Sequence, residues 1–449
     1  MHRVVDHLEG DYDVAVLGGG FAGATASRRL TRAGLRVLII EARDRLSGRM
    51  WSQQQYFEGH TVEWGGAFML DRATYPLTWQ EIDDHGLALE WGSLEKTTLI
   101  WLSGGSRRTG PLPVPIDELA SLETLIVAIS GLAARIDPNR PIEEQDVSEL
   151  DVPWPQLLAD LQLGPHTREL FEAHIVTLAG DSWDVPSALP LLHSIAKSGS
   201  VSGATFFAAP YDTPMARTLG PQLAEGTGAL FNAVLAGSDA DVVLGVRVTD
   251  VEDTGTGVRV RTTAGDITVP AVVSALPIGV LAEVRFTPEL SEELKTLAAQ
   301  GVAAQAEKVT AFVSNCPDPF YAHGIPQEGG FATASTTFHH GDQAIVVGFT
   351  SAVGALDVTD PAAVEKALQH YVPGITVDAL AWHDWAGDPF ARGTWSYLRP
   401  GQTAIRPKAR QARGRVTFAG SDFDSRLGVE GALHTGGLAA EEVLGILNR

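Results

Sequence analysis

Asp13-Val14-Ala15-Val16-Leu17-Gly18-Gly19-Gly20-Phe21-Ala22-Gly23 runs a short apolar segment into three consecutive glycines and then into a helical pattern that lasts to Ala33 and stops at Gly34. A second apolar, β-branched run, Arg36 to Ile40, follows at once. The order predicts strand, helix, strand, the opening of a parallel sheet. Gly18, Gly20 and Gly23 satisfy G-x-G-x-x-G where that spacing carries meaning, immediately after a strand and at the start of a helix. The first glycine permits the tight turn, the second lets backbone approach a diphosphate, and the third allows the helix to pack closely on the strand. The N–H groups of Phe21, Ala22 and Gly23, at the helix start, are left to face the phosphates. Glu41 closes the second strand near the ~20-residue offset at which an acidic side chain takes ribose hydroxyls. These residues imply a bound dinucleotide.

The rest of the chain sets bounds on that site. At 449 residues the chain exceeds the roughly 250–300 that one core supports, so two domains are expected. Hydrophobic residues at 44% and charged residues at 20% describe a chain that folds. A net charge of -22 argues against a nucleic-acid partner and favours approach of a cation. One cysteine, Cys316, excludes an internal disulfide. No apolar run reaches the roughly 18 residues of a membrane span, and the first residues are too charged for a signal peptide. No membrane partner and a cytoplasmic location are expected. His434, Asp83-Asp84 and Glu441-Glu442 show no metal-ligand spacing and read as solvated helix faces, so no metal is expected.

Between Asp71 and Pro221 the pattern is helical and loop-like, broken by Val152-Pro153-Trp154-Pro155, with no dominant strand signal. From Asp241 it alternates, predicting a small sheet from Val242 to Val248, Val258 to Thr262 and Ile267 to Val273. Strands are expected near Val309 to Val313 and Ala344 to Phe349, and a helix over Pro361 to Tyr371. A last strand, Val416 to Phe418, and a helix from about Glu430 end the chain. Nucleotide-type features at both ends imply one cofactor domain assembled from separated segments.

Glu41-Ala42-Arg43-Asp44-Arg45-Leu46-Ser47-Gly48-Arg49 resembles the E-A-R-x-R-x-G-G-R signature of the flavin amine oxidase family, which includes monoamine, polyamine and bacterial nicotine-type oxidases. Arg43 and Arg49 are suited to a diphosphate, because the guanidinium is a rigid fork of donors. Ser47 stands where the signature has a glycine. Val62-Glu63-Trp64-Gly65-Gly66-Ala67 resembles the second glycine segment of the family, and Val248 the position whose backbone meets adenine. Phe418-Ala419-Gly420-Ser421-Asp422 is similar to F-A-G-[ST]-E, and Val429-Glu430-Gly431-Ala432 to M-E-G-A, beside the flavin's pyrimidine edge. Within the family, His383-Asp384-Trp385, Asp388-Pro389 and Gly393-Thr394-Trp395 bring the likeness nearest to the nicotine-type oxidases.

The resemblance implies an α/β fold, with a Rossmann-like FAD-binding domain from residues 1–75, 221–290 and 396–449 and a mixed α+β substrate-binding domain from 76–220 and 291–395. It implies FAD as cofactor, a small-molecule amine as substrate and oxygen as acceptor, and it is compatible with a homodimer. Hydride leaves the α carbon for flavin N5, giving an imine that hydrolyses to a carbonyl, and hydrogen peroxide. Lys308 matches the lysine that holds a water near N5, Trp385 the tryptophan that packs on the flavin, and Trp395 a cage aromatic that steers the amine. Covalent members carry a cysteine where Thr394 stands, so FAD is expected to be held non-covalently. The second cage aromatic aligns with Gly428, which supplies no wall and implies a bulkier or differently oriented substrate. The competing readings are an L-amino-acid oxidase, which needs a carboxylate-binding arginine in the pocket where the sequence places neither Arg392 nor Arg399, a desaturase, and a non-catalytic flavin-binding interaction protein.

Overall fold

Val14–Leu17 and Val37–Ile40 are buried along their whole length and pair in parallel, Val14 opposite Val37 through Leu17 opposite Ile40. The helix Phe21–Arg32 makes the crossover. In this computed structural model, which describes residues 3–57, 59–67, 72, 74–91, 97–199, 201, 221–325, 330–350, 354–426 and 428–448, those two strands are the centre of a six-stranded sheet. Its order is Arg3–Val4, Asp241–Val243, Val37–Ile40, Val14–Leu17, Ala271–Ser274 and Val416–Phe418, and every neighbouring pair is parallel. Continuous apolar runs suit strands buried on both faces. One face is covered by the helices Phe21–Arg32, Thr227–Ala236 and Gly428–Ile446. Against the other lies a four-stranded sheet ordered Gly265–Val269, Val258–Thr262, Val248–Asp253 and Arg285–Thr287.

The small sheet therefore differs from the one expected. The run from Val242 to Val248 is two strands in two sheets, Asp241–Val243 in the large sheet and Val248–Asp253 in the small one. The run from Ile267 to Val273 divides at Pro270, which has no N–H to give to a ladder.

A seven-stranded sheet forms the second half, ordered Thr376–Trp382, Lys308–Ser314, Gln343–Thr350, Phe331–His340, Phe320–Gly324, Thr98–Ser103 and Ser106–Thr109. Alternation sorts its faces. Val309, Ala311 and Val313 point into a core shared with the helix Pro361–Gln369. The opposite face is packed in part by the helix Pro165–Ala179, which belongs to a helical core with Leu119–Ala133 and Leu189–Ser198.

The segment from 71 to 221, expected without strands, supplies Leu89–Trp91, Thr98–Ser103 and Ser106–Thr109. Thr98–Ser103 pairs with Phe320–Gly324, a partner more than two hundred residues away that no local pattern announces. Residues 71, 73, 92–96, 200 and 202–220 of that segment lie outside the described residues. Trp79 and Ile82 of the helix Pro76–His85 join the core of the parallel sheet, as do Leu294 and Leu297 of Glu292–Gln300 on its other face. Among the described residues no helix is long and apolar enough to cross a membrane.

Candidate active site

Gly18 leaves its strand with φ +101, a conformation that a side chain disfavours. A Cβ at Gly23 would stand 2.1 Å from the Gly18 carbonyl oxygen, so only glycine fits there. The next helix begins at Gly20 with no side-chain cap, which leaves the N–H groups of Phe21, Ala22 and Gly23 without helical partners. Glu41 is buried, and its carboxylate accepts from Gly19 N at 2.7 Å and Arg43 N at 2.9 Å. Its carbonyl accepts from Val246 N at 3.0 Å, two residues before buried Val248 starts the small sheet.

Arg49 ties the glycine turn to the C-terminal segment. Its Nη2 donates to Ser421 Oγ at 3.1 Å and Asp422 Oδ1 at 2.8 Å, while Asp422 Oδ2 accepts from Ile278 N at 3.1 Å. Asp422 is 1% exposed, so the pair is a buried one. The other terminal nitrogen, Nη1, is buried with no hydrogen-bond partner among the described residues. Gly420, at φ +145, donates its N–H to Thr435 Oγ1 at 2.9 Å. Unpaired helix N–H groups, an orphaned guanidinium nitrogen and a side-chain-free turn form a donor set for a diphosphate, and with Glu41 for the ribose these residues fit FAD.

Two residues expected to meet the cofactor have their side chains engaged elsewhere. Arg43 Nη2 donates to Asp388 Oδ2 at 2.8 Å, and His383 Nε2 lies 2.7 Å from the same oxygen. Burial alone would raise the Asp388 pKa, but hydrogen bonds from His383 and Arg43 outweigh it and hold the carboxyl well below the usual carboxylate range. The Glu430 carboxylate, fully buried, accepts from Leu77 N at 3.0 Å, Thr78 N at 2.9 Å and Thr78 Oγ1 at 2.9 Å, and so caps the helix Pro76–His85. An acidic side chain satisfies the free N–H groups of a helix start well, and sequence spacing does not show that the helix it caps lies some 350 residues earlier. Backbone at Val429 and Glu430 is what remains for a ligand. Arg45, the second arginine of the signature, stacks 4.3 Å over the Trp51 ring.

The second glycine segment is gripped from both sides. Gly66 N donates to Arg49 O at 3.2 Å, and a Cβ at Gly65 would fall 1.9 Å from that oxygen. Ala67 follows, half-buried. Three successive carbonyls are bonded by the expected residues: Lys308 Nζ donates to Glu63 O at 2.5 Å and Gly65 O at 2.6 Å, and Trp385 Nε1 to Trp64 O at 2.9 Å. Lys308 is therefore a buried strand residue bonded to the glycine segment, not a surface lysine beside Glu307. Burial lowers its pKa to about 8, with Glu63 pulling the other way. An ammonium has three protons, so one remains beyond the two carbonyls.

Trp395 is half-buried, anchored by its Nε1 to Leu178 O at 2.7 Å, and meets the Phe349 ring edge-on at 5.9 Å. Phe349 is in turn the direct cross-strand partner of Lys308, which places the aromatic and the lysine on one face. Gly428 N lies 3.4 Å from the hydroxyl of Ser396, the next residue after Trp395. Gly428 has φ +62, and a Cβ there would stand 3.3 Å from the Tyr75 hydroxyl. Arg392 pairs with Glu283, and Arg399 donates to the Val302 carbonyl. Among the described residues no cluster of His, Cys, Asp or Glu is arranged to hold a metal.

The sequence profile described as flavin containing amine oxidoreductase matches residues 21–444. Pseudooxynicotine dehydrogenase of a Pseudomonas species is 30% identical over 442 residues, covering 95% of this chain and 85% of that protein. (S)-6-hydroxynicotine oxidase of Paenarthrobacter nicotinovorans is 29% identical, covering 96% of this chain and 99% of that protein. Among solved structures, wild-type putrescine oxidase bound to putrescine superposes with a TM-score of 0.80 at 22% identity, over 97% of this chain and 99% of that chain, a likeness of fold.

Proposed function

From a chain that belongs to the flavin-containing amine oxidoreductase family, we propose an FAD-dependent amine oxidase whose reacting centre lies between Lys308 and Trp395. The observation that carries the reading is the buried Lys308 ammonium on the carbonyls of Glu63 and Gly65, cross-strand from the Phe349 against which Trp395 packs. FAD held here would supply the hydride acceptor, with oxygen as the final electron acceptor and hydrogen peroxide as the second product. The imine formed from the amine is hydrolysed to a carbonyl.

The chain's own residues bind, orient and exclude water. Arg49 and the helix start at Phe21, Ala22 and Gly23 take the diphosphate, Glu41 the ribose and Val248 backbone the adenine. Trp385 and Lys308 fix the carbonyls of the glycine segment, so Gly65, Gly66 and Ala67 present a flat wall to the ring system. The remaining Lys308 proton positions water or oxygen, and Trp395 offers its ring face to the amine. Non-covalent attachment is supported by Thr394, whose hydroxyl forms no thioether, and by Cys316, fully buried in the core on the far face of the sheet. The competing amino-acid oxidase reading is disfavoured by Arg392 and Arg399, both of which are engaged with protein partners.

The test is anaerobic mixing of the yellow holoenzyme with amines, amino acids and nicotine derivatives. Bleaching by amines supports the reading, and bleaching by amino acids alone overturns it. Readmitted oxygen should then yield peroxide stoichiometrically with the amine consumed, whereas reoxidation only by another acceptor would make the enzyme a dehydrogenase.

A further inference from the structure

A file of aromatic rings leads from the glycine segment to the surface. Buried Trp385 donates Nε1 to the Trp64 carbonyl at 2.9 Å, and the His383 ring bridges Trp385 to Trp51, with centroid separations of 4.3 and 5.7 Å. Trp51 stacks on Trp64 at 4.8 Å with the planes 17° apart. The two residues meet at the base of the hairpin of Ser52–Phe57 and His60–Glu63, where Trp64 N donates to Trp51 O at 2.8 Å. Tyr56, on the same hairpin, meets Trp64 edge-on at 5.2 Å and is 39% exposed. Each step from Trp385 to Tyr56 is thus a ring contact or a single hydrogen bond.

Indole and phenol rings give up one electron far more readily than Phe or aliphatic side chains, and here the surroundings give the file a direction. An indole radical cation is trapped where its N–H proton finds a base. The Trp385 N–H meets only a carbonyl, a very weak base, and Trp64 Nε1 is buried with no hydrogen-bond partner among the described residues. Neither ring therefore holds the oxidation. The Arg45 guanidinium, bonded to the carbonyls of Leu46 and Gly48, lies 4.3 Å over Trp51 and 5.9 Å over Trp385. Its charge repels a radical cation from those two rings, and among the described residues no cation is stacked on Trp64 or Tyr56. Tyr56 is exposed and can release its proton to water, so an electron vacancy made inside comes to rest there.

We propose that Trp385, Trp64 and Tyr56 form a protective one-electron outlet, which carries oxidising equivalents from the flavin pocket to the surface. This role rests on the amine-oxidase reading, in which FAD lies against Trp385 and peroxide forms beside it. A peroxide-derived hydroxyl radical takes one electron from Trp385 and becomes hydroxide. Trp385 is refilled from Trp64 and Trp64 from Tyr56, whose phenolic proton leaves to solvent. The sum is water and a Tyr56 phenoxyl radical, which a soluble thiol restores by giving up its hydrogen atom.

Blue light makes bound flavin a one-electron oxidant at the same place, so the anaerobic holoenzyme is tested without amine. Flavin fluorescence should be strongly quenched in the wild type and recovered in Trp385→Phe. Electron paramagnetic resonance of samples frozen under illumination should show a tyrosyl radical. Tyr56→Phe should abolish that signal, and Trp64→Phe should lose most of it although Tyr56 is intact. Quenched fluorescence without a tyrosyl radical, or a radical that survives Tyr56→Phe, overturns the outlet and leaves the FAD site standing. Unquenched fluorescence in the wild type removes the flavin from Trp385 and takes the outlet with it. Tyr56→Phe should also bleach with amines as the wild type does yet be inactivated faster by added peroxide, and equal inactivation rates overturn the protective role. Failure of both proteins to bleach with any amine, with the tyrosyl radical present, sinks the oxidase reading and leaves the electron route.

Discussion

Lys308 Nζ donates to the Gly65 carbonyl at 2.6 Å, and burial brings its pKa from 10.5 down to about 8. The unfolded chain then holds this proton more tightly than the folded one. Stability should therefore rise as pH increases from about 8 to 10.5 and carry the full penalty below 8. Lys308→Met should flatten that slope in denaturant titrations run across the window. Flavin bleaching should also show a limb near pH 8 whose position is the same for every amine, unlike the limb set by the amine's own deprotonation, and the variant should lose only the former.

Arg49 joins a buried carboxylate to the nucleotide turn, and its two substitutions should separate structure from cofactor binding. Arg49→Met leaves Asp422 buried without its cation, which costs about 3 kcal/mol and lowers Tm. Arg49→Lys keeps a charge for Asp422 but loses the fork whose Nη1 has no protein partner. We expect a folded protein that releases FAD at least about tenfold more readily, since one charge-assisted bond is worth ~1.5 kcal/mol or more. Equilibrium dialysis with flavin fluorescence measures it, and unchanged retention in the lysine variant would remove Arg49 from the diphosphate site.

Ser47 occupies φ +78, where the family signature has glycine, and its buried hydroxyl has no partner among the described residues. Left-handed backbone costs a side-chain residue roughly 1–2 kcal/mol, only partly offset by glycine's larger unfolded-state entropy. Ser47→Gly should stabilise the chain by about 0.5–1 kcal/mol in urea titrations. Lower stability would show that the serine hydroxyl is bonded in the holoenzyme.

Where the sequence was legible, the information was local. Gly18, Gly20, Gly23 and Glu41 fall within one strand–helix–strand unit, where turn geometry and close packing are readable at short range. Lys308, Trp385 and Trp395 were found through likeness; pattern alone would leave a lysine beside Glu307 on the surface. Side-chain partners were not legible when they lay far along the chain. Arg43 meets Asp388 and Glu430 meets Thr78, both across more than three hundred residues, so motif position located these residues without showing that protein groups occupy their charges. The strand Thr98–Ser103 was missed for the same reason, because its partner lies beyond position 319. Conversely, the split of Val242 to Val248 was hidden because an unbroken apolar run does not reveal a change of sheet.

Glu430 offers a direct test of its structural role. Its carboxylate receives two backbone N–H groups and a hydroxyl at the start of Pro76–His85. Glu430→Gln exchanges one acceptor oxygen for a donor amide that faces an N–H or O–H, which should cost about 1–2 kcal/mol of stability. The FAD spectrum of the folded variant should be unchanged if only backbone at this position meets the cofactor. A large change in flavin absorption at undiminished Tm would return the carboxylate to the cofactor site.

Gly428 faces the Tyr75 hydroxyl where a second wall of the proposed amine site would stand. At φ +62 a side chain at 428 is already strained, and its Cβ would stand 3.3 Å from the Tyr75 hydroxyl, closer than most real contacts. Gly428→Ala should therefore cost about 1–2 kcal/mol, and Tyr75→Phe in the same chain should recover about 0.5 kcal/mol of it, since the two sites touch. Gly428→Tyr would project a ring beside Ser396 and Trp395, restoring the aromatic that the family carries here. Turnover of a bulky amine should then fall at least about tenfold relative to a small one, the effect of losing ~1.4 kcal/mol of fit. Steady-state kcat/KM for both amines in folded protein checks this. A parallel loss for large and small substrates would mean that Tyr75, not the open space at Gly428, already sets the size limit.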